Sequence, residues 1–215
     1  AGWMTDDYEA AGIRFDRPGV RIDRMIEAIE VVQGLWSGEP LDFRGSHYEI
    51  SGLTGTPSPH QPGGPPIIVG GGGKRVLTEA ALRADIVGLN ASLHAGSVGP
   101  ETALSALGER FLERRNWVEE AAGDRFPEIE LQMNTFMTAV TNTTSEANEM
   151  FEGMAPMFGL SAEQARTIPM VLAGTISDVC DQLHRYRELY GTSYWVIHEG
   201  EVDAMAPVVA KMTDT

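Results

Sequence analysis
The chain has 215 residues, 42% of them hydrophobic and 22% charged, with a formal net charge of −15. That length fits one domain or part of a larger one, and the composition excludes a disordered polymer. The acidity argues against nucleic acid and against anionic membranes, and no apolar run approaches a membrane span.

The opening Ala1-Gly2-Trp3 is loop-like and is expected to follow a strand, as though the chain began inside a domain. Asp16-Arg17-Pro18-Gly19 opens the first long helix. Its buried stripe is read as Ile22, Met25, Ile26, Ile29, Val32 and Trp36, and Gly38 and Pro40 stop it. Arg21, Arg24, Glu27 and Glu30 read as a solvated face. Leu41-Asp42-Phe43 and His47-Tyr48-Glu49-Ile50 flank Arg44-Gly45-Ser46 and predict a hairpin. Residues 51–66, rich in Gly and Pro, form an irregular approach loop.

The stretch Pro65-Pro66-Ile67-Ile68-Val69-Gly70-Gly71-Gly72-Gly73-Lys74-Arg75 organises the rest. A short β-branched run ends in four glycines, then two cations, then a helix whose apolar face is Leu77, Ala80, Ala81 and Ala84. Ile86-Val87-Gly88-Leu89 follows as a second buried strand, so the unit is βαβ and implies a parallel sheet. Glycines at a helix start let backbone N–H groups approach an anion, and the helix dipole favours negative charge there. The turn is read as a holder for a cofactor phosphate, with Lys74 and Arg75 adding positive charge. The plainer alternative is a flexible turn over a strand end. A P-loop would need Gly at position 68 and Ser or Thr at 75, where the chain has Ile68 and Arg75. A dinucleotide fingerprint fits Gly70 and Gly72 but fails at Arg75.

A polar loop with His94 leads to a helix after Gly99-Pro100, with Leu104, Leu107, Phe111 and Leu112 inward and Glu109, Arg110, Glu113, Arg114 and Arg115 outward. Ile129 to Met133 is a third strand, with a possible run on through Phe136. Residues 142–159 hold a helix with Thr143 and Glu146 at capping-box spacing, and Ser161 and Gln164 suggest a shorter one. Met133, Met137, Met150, Met154 and Met157 are read as core packing rather than as a substrate surface. The helix after Gly174-Thr175 turns Val179, Leu183 and Tyr186 inward and ends at Gly191. Cys180, the single cysteine, reads as a buried small hydrophobe, and the absence of an intrachain disulfide fits a reducing compartment. Ser193 to Glu199 is the fourth strand, and a last helix from Asp203 uses Met205, Val209 and Met212 inward. Alternating strands and helices predict an α/β fold, a parallel sheet or (β/α)-barrel, with four parallel strands counted.

Several segments together resemble the luciferase-like monooxygenase superfamily, and within it the deazaflavin (coenzyme F420)-dependent oxidoreductases. They are Gly2-Trp3 through Asp7-Tyr8-Glu9-Ala10-Ala11-Gly12, the helix ending Leu35-Trp36-Ser37-Gly38, the hairpin Phe43-x-Gly45-x-His47-Tyr48, Ile67 to Gly73, Ala84 to Gly88, and Gly174-Thr175 through Ile197. The resemblance implies the C-terminal half of a TIM-like (β/α)8 barrel with an insertion hairpin. It implies a single partial domain over 1–215, with the first four β/α units missing. By the resemblance, Gly71, Gly72 and Gly73 contact the cofactor phosphate through backbone N–H groups, with Gly70 in the same turn, and Gly2 and Trp3 line the ring or ribityl side. Lys74 and Arg75 are phosphate or tail partners by charge. Asn90 and Ser92 face the same mouth if the barrel rule holds. Many relatives carry Asn and Glu where this chain has Met4 and Asp7, so neither residue is given a role.

The expected cofactor is coenzyme F420, with FMN the alternative. No catalytic residue is named, because that part of the family site belongs to the missing half. No metal is expected, since no His, Asp and Glu group has ligand spacing. His60, His94 and His198 read as solvent-facing or hydrogen-bonded, and Ser92 and Ser97 lie in no nucleophile elbow. The functions weighed are a cytoplasmic F420- or FMN-dependent oxidoreductase acting on a small molecule, a half-barrel that associates with itself or a partner, and a general phosphate-ligand module. A homodimer is expected, with no nucleic acid and no membrane.

Overall fold
The computed structural model describes residues 1–94, 96 and 98–213. Ser97, weighed above as a nucleophile, lies outside them. The chain forms two compact units, Ala1–Ile67 and a second that starts at Ile68.

In the first unit a short helix, α1 (Thr5–Ala10), occupies a stretch expected as loop, and the long helix α2 runs Pro18–Trp36. Pro18 at its first turn costs no hydrogen bond, because that N–H lacks a partner in any helix. Ile22 and Val31 are its buried residues, whereas Val32, expected inward, is exposed. The predicted hairpin is present: β1 (Leu41–Arg44) and β2 (Glu49–Leu53) pair antiparallel. Glu27 belongs to no solvated face. Its carboxylate accepts the backbone N–H groups of Ser46, His47 and Tyr48 at 2.7, 2.8 and 3.1 Å. Burial pushes its carboxyl up, but these amides outweigh that and hold it below the ordinary carboxylate range. The hairpin turn is thus pinned by a side chain twenty residues upstream in sequence.

The second unit begins with β3 (Ile68–Gly71), α3 (Lys74–Arg83) and β4 (Ile86–Leu89). Leu77, Ala80, Ala81 and Ala84 are at most 1% exposed, as the helical spacing predicted. Next come α4 (Pro100–Ser105), α5 (Gly108–Ala122) and β5 (Glu130–Asn134). The one helix expected after Gly99 is therefore two, and Leu104 and Leu112 are exposed. The excursion holds β6 (Met137–Val140), α6 (Thr144–Met154) and α7 (Ala162–Ala165), and β7 (Val171–Gly174) closes it. The strands β6 and β7 were not foreseen; they pair parallel as a small separate sheet. Thr143 caps α6 by accepting the Glu146 N–H, as its spacing predicted. Met133 is buried, but Met157 is 77% exposed and packs in no core. The chain then forms α8 (Ile176–Tyr190), β8 (Thr192–Val196) and α9 (Val202–Met212). Val179, Leu183, Tyr186 and Cys180 are buried on α8, and on α9 Val208 is buried where Val209 was expected.

The four predicted strands lie side by side in one direction, in the order β3-β4-β5-β8. The sheet is open among the described residues. Side chains alternate across it. Val69, Val87 and Leu131 share one register row and are buried on the helix side, where α3 packs on β3 and α5. Gly70, Gly88, Gln132 and Tyr194 share the next row, on the opposite face. Ile68, Tyr194 and Val196 are exposed. No helix among the described residues is long and apolar enough to cross a membrane.

Candidate cofactor-binding site
Because the four strands are parallel, their carboxyl ends share one rim: Gly71, Leu89, Asn134 and Val196. In open α/β sheets ligands bind at that rim. The structure places Gly70, Gly71, Gly72, Gly73, Lys74, Arg75 and Asn90 there. Gly2 and Trp3 belong to the first unit, where Gly2 adopts a left-handed φ of 72° beside Tyr8, and Trp3 is half-buried.

The four glycines serve different ends, and none has a left-handed φ. A Cβ on Gly70 would stand 2.9 Å from the Asn90 amide nitrogen, and one on Gly71 would strike Val76 of α3. On Gly72 it would fall 2.5 Å from the Ala91 carbonyl carbon and 2.6 Å from the Ser92 nitrogen, so two backbones meet where only glycine fits. Gly73 is different: a Cβ there meets nothing within 4 Å. It is the exposed N-cap of α3, with no side chain capping the helix. The first helical bond runs from Leu77 N–H to Gly73 O at 3.2 Å, so the helix ladder begins behind the turn. A helix start that opens on empty space is the geometry that accepts anions. Lys74 and Arg75 are exposed in the first turn, and Lys74 reaches Glu120 at 3.9 Å.

Asn90 fastens the turn. Its N–H donates to Gly71 O at 3.0 Å, and its side-chain oxygen accepts from Asn134 Nδ2 at 3.4 Å. Asn134 in turn accepts from Gln132 Nε2 at 2.7 Å. Gln132 is 2% exposed, and a Cβ on Gly88 would fall 2.7 Å from its amide oxygen. A row of amides thus lies over the glycines of two strands. Among them only Asn90 was singled out from the sequence.

Arg114 is the residue that sequence reasoning misplaced. Expected on the outer face of its helix, it is 4% exposed. Its Nε donates to Gly72 O at 3.0 Å, its Nη1 donates to Ser105 O at 2.7 Å, and its guanidinium carbon lies 5.2 Å from the Phe111 ring centroid. Burial pulls its pKa down to about 10, so the cation persists at neutral pH. Ser105 Oγ also accepts the Ser92 N–H at 2.8 Å, which ties down the segment after β4. His60, His94 and His198 are exposed, and no metal-holding group occurs among the described residues.

The profile of the luciferase-like monooxygenases matches residues 1–209, so the chain belongs to that family. An uncharacterised protein of Mycobacterium tuberculosis (strain H37Rv) is 37% identical over 122 residues, which is 57% of this chain and 36% of that protein. An F420-dependent secondary alcohol dehydrogenase, solved with an F420-acetone adduct, superposes with a TM-score of 0.66 at 16% identity, over 88% of this chain and 59% of the other. A riboflavin lyase, solved with modified FMN and riboflavin, gives 0.70 at 13% identity, over 100% of this chain and 62% of the other. The chain therefore spans less than two thirds of these proteins. The two structures establish the shared α/β fold of the luciferase-like barrels, present here as a parallel four-stranded sheet that is open among the described residues.

Proposed function
We propose that the chain serves a flavin- or deazaflavin-dependent oxidoreductase, with coenzyme F420 as the cofactor and FMN as the alternative, acting on a small organic molecule. One observation carries this reading: a helix N-terminus that no side chain caps and that faces open space at Gly73, on the rim of a parallel sheet. A phosphate fits this place. The N–H groups of the turn bind it, Lys74 and Arg75 add charge, and the Asn90 contact to Gly71 keeps the turn in register with the neighbouring strand. When bound, the cofactor supplies the hydride chemistry, and the protein orients it. The likeness to the F420-dependent alcohol dehydrogenase supports F420, and the likeness to the riboflavin lyase supports FMN as the alternative. Titrating the protein with F420 and with FMN, followed by calorimetry, decides the matter. Saturable binding of F420 tighter than FMN is the expected result, and binding of neither overturns the reading.

A second reading rests on the sheet's open face, where Ile68, Tyr194 and Val196 are exposed. There the chain acts as an association module, pairing with a copy of itself as a homodimer or with another chain. A monomer at every concentration would count against it.

A further inference from the structure
We infer that Arg114 is a positioning residue for the phosphate-binding turn: from inside the fold it fixes the peptide between Gly72 and Gly73 so that the Gly73 N–H faces the ligand. This rests on the cofactor reading above. The peptide is trans, so its C=O and N–H point in opposite directions. The Gly72 carbonyl is turned inward, onto Arg114 Nε at 3.0 Å. The Gly73 N–H is therefore directed away from the buried guanidinium. It faces outward at a residue whose missing Cβ would meet nothing within 4 Å. Gly72 has no side chain to hold this orientation; the Ala91–Ser92 backbone limits where its Cα can sit, and the bond from Arg114 sets the direction of its carbonyl. Arg114 itself is held at a second point by the Ser105 carbonyl at 2.7 Å and lies over Phe111. A charge-assisted bond at each of two carbonyls makes the grip stronger than a neutral donor would. The buried cation also adds a favourable field for an anion on the other side of the same peptide.

The test compares each cofactor with its phosphate-free counterpart, FMN against riboflavin and F420 against its deazaflavin core, in wild type and in Arg114→Met. The wild type is expected to prefer the phosphorylated member of at least one pair. In the variant that preference should fall by about tenfold, the weight of one charge-assisted hydrogen bond, with affinity for the phosphate-free member unchanged. A general loss of structure would lower both affinities together, so the ratio isolates the turn. Should Arg114→Met fail to fold, Arg114→Lys is measured in the same way; it keeps the charge but cannot span both carbonyls, and the same fall is expected. A preserved preference in the folded variant overturns the role of Arg114. A wild type that binds both members of each pair equally overturns the phosphate reading itself.

Discussion

At the scale of single residues, Gly72 and Gly73 separate packing from binding. Gly72→Ala puts a methyl into the Ala91–Ser92 backbone, which cannot retreat without moving the rim. The expected cost is about 1–3 kcal/mol, as for other overpacked sites. Gly73→Ala meets open space at an ordinary φ of −106°, so its stability should stay within about 0.5 kcal/mol of wild type. Its methyl nevertheless intrudes where an anion would sit. Thermal unfolding of both variants, paired with FMN and F420 titration, should therefore show a destabilised Gly72→Ala and a stable Gly73→Ala, both with weakened binding. A Gly73→Ala variant that binds as wild type would remove the phosphate from this turn. The glycine turn was legible because glycine runs and helix periods are local signals. Arg114 was hidden by its company: between Glu113 and Arg115 it reads as surface. Its spacing says otherwise, because it falls three residues after Phe111 and four before Val118, both fully buried. Glu27 was missed for another reason, since its partners are amides, which the sequence never spells out.

At the scale of elements, α8 carries a testable cap. Thr175 Oγ1 accepts the Asp178 N–H at 3.2 Å, while Asp178 Oδ2 accepts from the Thr175 N–H at 3.0 Å and from the hydroxyls of Thr175 and Thr144, each at 2.9 Å. The Thr175 amide and then the two hydroxyls hold the Asp178 carboxyl below its ordinary value of 3.8. A carboxyl depressed on folding stabilises the fold fully above the ordinary value, and that contribution disappears as pH falls through the lower folded value. Asp178→Asn should therefore lower the melting temperature at about pH 6, and the gap to wild type should narrow as the pH is brought to about 3. A gap that is constant with pH would mean that the carboxylate charge is idle. Most helices and the four main strands were visible as periods of apolar residues. The strands β6 and β7 were not: β6 is separated from β5 by only two residues and reads as its continuation, and Val171–Gly174, buried on both faces, ends in Ala173 and Gly174, which carry little strand preference. A fully buried short run has no alternation to read, and the two pair across the whole excursion.

At the scale of the molecule, the sheet leaves apolar surface uncovered. Ile68 is 50% exposed, Tyr194 40% and Val196 38%, and among the described residues β3 pairs only with β4 and β8 only with β5. Unpaired strand edges beside apolar side chains favour association. Sedimentation velocity over a concentration series should show reversible self-association that Tyr194→Lys weakens. One monomeric species throughout would speak against it. The direction of the sheet was legible, since strands alternating with helices are parallel. Its four strands were legible too, each as a short apolar run between turn or helix signals, whereas the small second sheet of β6 and β7 was not.

The pairing of Leu131 with Thr192 also sets an order of assembly. The flank of β5 can be covered by β8 only after α6, α7, β7 and α8 have been synthesised, so a ribosome-bound chain carries a bare strand edge for the whole of that interval. Contacts so far apart in sequence form slowly and leave nascent chains open to aggregation. Production of this protein should therefore respond more to chaperone supply and to slow translation at low temperature than to substitutions that merely strengthen individual helices.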